Sequence, residues 1–161
     1  MQYIVYLILG LSFLTFANSA DKKELGVTPF ISLVQDESKK QEDTITMIAG
    51  LPWHSDIDTA FAIASKENRN VIIMVGEDYC KWCTKMKDDT FTDTRIKTKL
   101  EHYTLVSVKR SDKSAIRHVP SFDGTIPSLF FMNFDREMIE SVVGYFVADD
   151  LLSYIDEIEE L

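Results

Sequence analysis

The chain has 161 residues, with 26 acidic against 17 basic side chains, a net charge of −9 and two cysteines. That balance argues against nucleic acid or an anionic membrane surface as the main partner, since both are bound through positive charge. The length, once a leader is set aside, suits one domain with a full hydrophobic core and is short for two.

Residues 1–20 carry no charged side chain, and the apolar run Tyr3 to Phe16 has the length of a signal-peptide core, shorter than a membrane span. Ala17 and Ser19, or Ala20, supply the small residues of a cleavage site, so this segment is expected to be an export signal. An uncleaved anchor is the alternative, because Lys22 and Lys23 follow the apolar core and no Lys or Arg precedes it. Residues 21–50 read as an N-terminal extension or linker. Within it, Thr28-Pro29 opens a short helical pattern over Phe30, Ile31, Leu33 and Val34, and Asp36 to Asp43 is a solvated polar run. Ile45, Met47 and Ile48 fit a short edge strand or a tail packed on the domain.

The pattern sharpens at Trp53. Ser55 is expected to cap a helix carrying Ile57, Ala60, Phe61 and Ala64, with Asp58 three residues after the cap and Asn68-Arg69-Asn70 at its end. Val71 to Val75 is an apolar run that reads as a buried strand, and helical periodicity follows it. Thr92 and Asp93 suit the cap of a second short helix holding Ile96 and Leu100, before a strand over Thr104 to Val108. Ser128 to Met132 and Met138 to Val143 read as two strands joined by a hairpin around Asn133 to Arg136. Leu151, Leu152, Ile155 and Ile158 mark a C-terminal amphipathic helix, with Asp149 and Asp150 near its positive end. The order combines a β-α-β half with a β-β-α half around one mixed sheet, an α/β class.

Both cysteines fall in one motif, Cys80-Lys81-Trp82-Cys83, at the junction between the buried strand and the helix after it. In an oxidising compartment a lone pair is either a structural staple or a working redox couple. Closing so short a loop removes little entropy from the unfolded chain, which disfavours the staple. Cys80, in the first turn of a helix, meets unpaired N–H groups and the positive end of the dipole, which favour a thiolate. Lys81 adds positive charge nearby, while Glu77 and Asp78 oppose it. Cys83, one turn further in, reads as the less exposed resolving thiol. His54, His102 and His118 are scattered without metal-ligand spacing, and no metal or cofactor is expected. Met86, Met132 and Met138 are expected in the core.

The run from Tyr79 through Cys80, Trp82 and Cys83 to Met86 resembles the exported thioredoxin-like group whose motif reads Cys-X-Trp-Cys-X-X-Met. Trp53, the helix with Ala60 and Ala64, the interrupted helix through Phe91 and Asp93, and Thr125-Ile126-Pro127 are similar to features of the same family, over residues 51–161. The resemblance implies a thioredoxin fold, a central mixed β-sheet flanked by helices, here preceded by an N-terminal extension. It implies a protein-disulfide oxidoreductase with Cys80 as nucleophile, Cys83 as resolving thiol and the two as a redox-active disulfide. It implies that Pro127 is a cis proline facing the cysteines and that Ile126 offers backbone groups to an extended substrate. Tyr79 and Trp82 either shape the lip of the substrate groove or are an exposed aromatic and a helix-packed one.

The chain departs from thioredoxin itself at Met74, which stands where that protein carries a buried aspartate that helps move the resolving cysteine's proton. Methionine cannot accept a proton. Glu77 or Lys109 either substitutes or is a solvated surface residue. The export signal predicts a periplasmic or otherwise exported protein, and with no evident separate dimerisation domain a monomer is expected; the resemblance further implies that it acts on protein disulfides, reducing more than oxidising them. A membrane thiol:disulfide interchange protein would be its electron donor. The rival reading is a thioredoxin-fold binding module or a metallochaperone that uses the cysteine pair without redox turnover.

Overall fold

The computed structural model describes residues 42–161. The export signal over residues 1–20 and the short helix around Phe30 to Val34 lie outside the described residues. The sheet begins at Ile45, where β1 (Ile45–Ile48) turns back into β2 (Leu51–His54). The two-residue turn has φ of 52° at Ala49 and 82° at Gly50, and Ile48 pairs with Leu51 across it. Two positive φ values in a two-residue loop give the turn whose twist matches that of the strands it joins.

After the hairpin come α1 (Ile57–Glu67), β3 (Val71–Gly76), α2 (Lys81–Lys85), a π-helical turn (Met86–Thr90) and α3 (Thr94–Leu100). The chain continues through β4 (Thr104–Lys109), α4 (Lys113–Ile116), β5 (Ser128–Met132), β6 (Met138–Val143) and α5 (Ala148–Glu159). The strands lie in the order β1-β2-β4-β3-β5-β6. β3 runs parallel to β4 and antiparallel to β5, so the sheet is mixed, as the element order predicts.

Every residue of β3 is buried, because helices cover both faces of the sheet. Alternate side chains feed two cores, following the period of two along a strand. Ile72 and Met74 join Trp53, Cys83, Met86, Phe91, Phe131 and Leu151 on one face, under α2, α3 and α5. Ile73 and Val75 join Ile57, Phe61, Val106 and Phe130 on the other, under α1 and α4. Each large apolar side chain fully removed from water stabilises the fold by about 1.5–3 kcal/mol before entropy is counted. The aligned strand therefore anchors the helices on both faces at once.

Two local expectations are corrected, the cap of the first helix and the placement of Met138. Asp56, not Ser55, caps α1: its carboxylate accepts the Thr59 N–H at 2.8 Å, and a carboxylate there also meets the positive end of the helix. Ser55 instead accepts the Thr44 N–H through its hydroxyl, and Asp58 pairs with Arg136 at 2.8 Å. Met138 is 42% exposed on the outer strand β6 and not in the core, whereas Met86 and Met132 are buried. The cap of α3 is Asp93, held down at about 2 by its hydrogen bonds with Arg95. Asn68 ends α1 with a left-handed φ of 51°.

Candidate active site

β3 carries the chain to Gly76, and Glu77-Asp78-Tyr79 leads from there into α2. Cys80 has the extended backbone of a cap residue, and its Sγ accepts the Cys83 N–H at 3.1 Å. The two sulfurs are bonded to each other, with 5.1 Å between the Cα atoms. Cys83 is 1% exposed and packs among Met74, Met86 and Phe91, while Cys80 is partly exposed at the edge of the same cluster. A disulfide between one partly exposed and one covered cysteine is approached by an incoming thiolate from the Cys80 side.

Around Cys80 the surface is aromatic and apolar. Tyr79 is fully exposed. Trp82 is half-exposed and rests on Tyr145, with ring centroids 5.3 Å apart. Its packing partner is therefore a loop that follows β6. Lys85 lies 5.4 Å from the centre of the Tyr145 ring and pairs with Asp89, a hydrogen bond that raises its pKa above the usual lysine value. The loop is fixed at two points. The Gly144 N–H donates to the Pro127 carbonyl at 2.8 Å, and the Thr90 hydroxyl donates to the Phe146 carbonyl at 2.6 Å.

The π-helical turn explains the second tether. Its i to i+5 bond, Phe91 N–H to the Met86 carbonyl at 2.9 Å, widens the helix by one residue, and both Met86 and Thr90 point inward. The other wall of the site comes from the start of β5. The Ile126–Pro127 peptide is cis, Pro127 is buried and Ile126 is half-buried. Val75 pairs with Ser128, which puts Pro127 at the end of β3 from which α2 departs. The fold thus brings the cysteine pair, the proline loop and the Gly144–Phe146 loop to one end of the sheet.

On the Cys83 side lies a polar cleft of about 370 Å³, bounded by Trp53, His54, Gly76, Glu77, Lys87, Ser107 and Lys109 among others. Glu77 accepts the Ser111 N–H at 3.0 Å, and this bonding holds its carboxyl below the usual range, making it a poor proton acceptor near neutrality. Lys109 is tied to Asp78 at 2.7 Å, which raises its pKa. Both groups named as replacements for a buried acid are thus engaged at the rim, and Met74 is fully buried. At the far end His54 Nδ1 lies 2.7 Å from Asp43 Oδ2. Burial pushes the Asp43 carboxyl up, but the bonds from His54 and the Ser55 and Asp56 amides outweigh it and leave the pKa below normal. Trp53 Nε1, stacked through its ring on Phe91 at 5.3 Å, is buried without a hydrogen-bond partner among the described residues.

His102 and His118 are exposed. Among the described residues no group of three or more His, Cys, Asp and Glu side chains is placed to hold a metal ion, and no helix is long and apolar enough to cross a membrane. Sequence reasoning missed Tyr145 and Thr90, which act through contacts made far along the chain.

Comparison with solved structures places the architecture. The chain is similar to a structure described as "DsbH Oxidoreductase", with a TM-score of 0.56 and 16% identity over 69% of this chain and 85% of that one. It is similar to the oxidised C-terminal domain of DsbD from Neisseria meningitidis, with a TM-score of 0.54 and 14% identity over 62% of this chain and 90% of that one. A disulphide isomerase from Xylella fastidiosa Temecula1 aligns with a TM-score of 0.55 and 11% identity, over 64% and 88% of the two chains. At these identities the likeness establishes the fold. No curated protein matches the chain significantly. The family model described as "Thioredox_DsbH: Protein of unknown function, DUF255" matches residues 32–125, more than half of the chain. With its mixed sheet, flanking helices and bonded Cys80–Cys83 pair, the chain belongs to this DsbH-type thioredoxin-like family.

Proposed function

We propose that the protein is an exported thiol:disulfide oxidoreductase that reduces disulfides in other proteins through Cys80 and Cys83. The observation that carries this reading is the asymmetry of the pair: Cys80 partly exposed at the start of α2, Cys83 covered one turn later. In the reduced protein, the Cys83 N–H beside Cys80 Sγ and the first turn of the helix favour a thiolate at Cys80. That thiolate attacks a substrate disulfide and forms a mixed disulfide. Cys83 then attacks Cys80 Sγ, releases the reduced substrate and leaves the Cys80–Cys83 bond.

Trp82 and Tyr79 on one side, and Ile126 and Pro127 on the other, form the walls of the groove for an extended substrate segment. Residues 1–20 act as the export signal and residues 51–161 as the catalytic domain. The reducing direction rests on the resemblance of the Cys80–Met86 motif to the exported thioredoxin-like Cys-X-Trp-Cys-X-X-Met group. A reductase in an oxidising compartment needs a donor, and a membrane thiol:disulfide interchange protein supplies that chemistry.

The test is a Cys83→Ser variant expressed in the native compartment. Without its resolving thiol it is expected to accumulate mixed disulfides with protein partners, resolved as bands that collapse on reduction. The Cys80→Ser variant accumulates none in the same experiment. If Cys83→Ser traps no partner, the enzymatic reading fails.

A further inference from the structure

We propose that Lys87 is a positioning residue for the resolving step, a cation that favours the thiolate of Cys83 from the polar cleft behind Gly76. The inference rests on the reading of Cys83 as the resolving thiol. Its geometry starts at Gly76, which belongs both to the wall of the cleft and to the shell around the sulfur. A Cβ on Gly76 would stand 3.4 Å from Cys83 Sγ and 3.6 Å from Cys83 Cβ. Glycine therefore leaves a thin side of the core between the buried sulfur and the cleft.

Lys87 lines the same cleft. Lys87 follows Cys83 by four residues, at the second position of the π-helical turn, which sets it about one helical turn further along the same segment. The remaining charged groups of the cleft are already engaged. His54 is paired with Asp43, and Lys109 with Asp78. Glu77 accepts the Ser111 amide, and Asp112 accepts the Ser114 and Ala115 amides at the start of α4. Lys87, half-buried, has no ion-pair partner among the described residues. Its ammonium is the charge left to balance a thiolate, in the place where Met74 offers no ionisable group.

The chemical step balances without an added reagent. In the mixed disulfide, the Cys83 thiol gives its proton to solvent through the cleft behind Gly76. The Cys83 thiolate attacks Cys80 Sγ. The bond between Cys80 and the substrate sulfur breaks, and the electron pair leaves on the substrate thiolate, which takes up a proton from solvent. The protein dithiol is oxidised by two electrons and the substrate disulfide is reduced by two. Lys87 acts by its charge and takes no part in the exchange of bonds.

The test is a thiolate titration of the full chain carrying Cys80→Ser, in which Cys83 is the only thiol, followed by ultraviolet absorbance. Adding Lys87→Gln is expected to lower the thiolate fraction at pH 7 by about threefold to tenfold, and adding Lys87→Arg to restore it. In the chain with both cysteines, Lys87→Gln slows release of a preformed mixed disulfide by a similar factor, with the loss shrinking as pH rises. Superimposable titrations of Lys87 and Lys87→Gln overturn the proposal, as does an arginine variant that behaves like glutamine. A wild-type chain that reduces no protein disulfide would sink the enzymatic reading instead, leaving the coupling of Lys87 to Cys83 to be decided by the titration alone.

Discussion

The two sulfurs share a bond and meet opposite surroundings. On the Cys80 side, α2 presents Tyr79 and Trp82 to solvent, with Tyr145 stacked against Trp82. On the Cys83 side, the same helix faces a buried methionine, a glycine and a cleft rimmed by ion pairs and amide-bound carboxylates. Two cysteines three residues apart thus receive different chemistry because a helical turn rotates them to different neighbours. The apolar side suits contact with another protein, since exposed aromatic side chains supply most of the binding energy at such surfaces. The polar side suits the movement of a proton and the support of a charge.

The largest effect that separates the two sides is on substrate recognition. Trp82→Ala removes the exposed ring beside Cys80 and is expected to lower kcat/KM for a protein disulfide about tenfold, equivalent to about 1.4 kcal/mol. Reduction of a small disulfide such as oxidised glutathione should change little, because it does not span the groove. Equal losses on both substrates would mean that Trp82 acts on the sulfur and not on the partner, and would break the division.

The polar side is tested by Asp43, which closes the far end of the cleft through His54 and two amides. Asp43→Ala is expected to cost about 1–2 kcal/mol in urea unfolding at pH 7, since it leaves two amides and an imidazole without their acceptor. The Asp43 carboxyl is depressed below its ordinary 3.8 in the folded protein, so its contribution is complete above that pH. It is lost as pH falls through the lowered folded value. The stability gap between wild type and variant should therefore hold from pH 7 to pH 5 and close only in strong acid. A gap that closes well above the carboxylate range would contradict the assignment to Asp43.

The smallest effect tests how the apolar side is held. Thr90→Val keeps the shape of the side chain but leaves the Phe146 carbonyl without its donor, for an expected loss of about 1 kcal/mol. The same variant should loosen Tyr145 and reduce the stacking of Trp82, read as a shift in tryptophan emission. Unchanged stability would show that the π-helical turn does not carry the loop.

The elements that anchor the site were legible where apolar periodicity was strong. Val71 to Val75, the α1 residues Ile57, Ala60, Phe61 and Ala64, and the two strands of β5 and β6 all form where the pattern puts them. The cysteine pair was legible from its spacing. β2 was not, because Pro52 lacks the N–H that a strand ladder uses and β2 meets β4 only at His54 and Val106. The turn before it was hidden by Ala49, a residue that rarely adopts the left-handed φ it has here. The choice of Asp56 over Ser55 as the cap turns on one residue of register between two capable side chains. The π-helical turn has no marker in composition, yet it decides that Thr90 points inward, and through Phe146 where Tyr145 sits. Tyr145 itself follows Cys80 by more than sixty residues, and only the fold brings them together.

The measurement that tests the central claim most directly is the reduction potential of the Cys80–Cys83 couple. It is obtained by equilibrating the purified protein with glutathione or dithiothreitol buffers and following thiol alkylation. A reversible two-electron transition near thioredoxin's potential, about −270 mV, is the result expected of a reductase fed by a membrane donor. A value near about −120 mV would contradict the reducing direction and make the protein a disulfide donor, and a folded protein that cycles in neither buffer would contradict redox catalysis altogether.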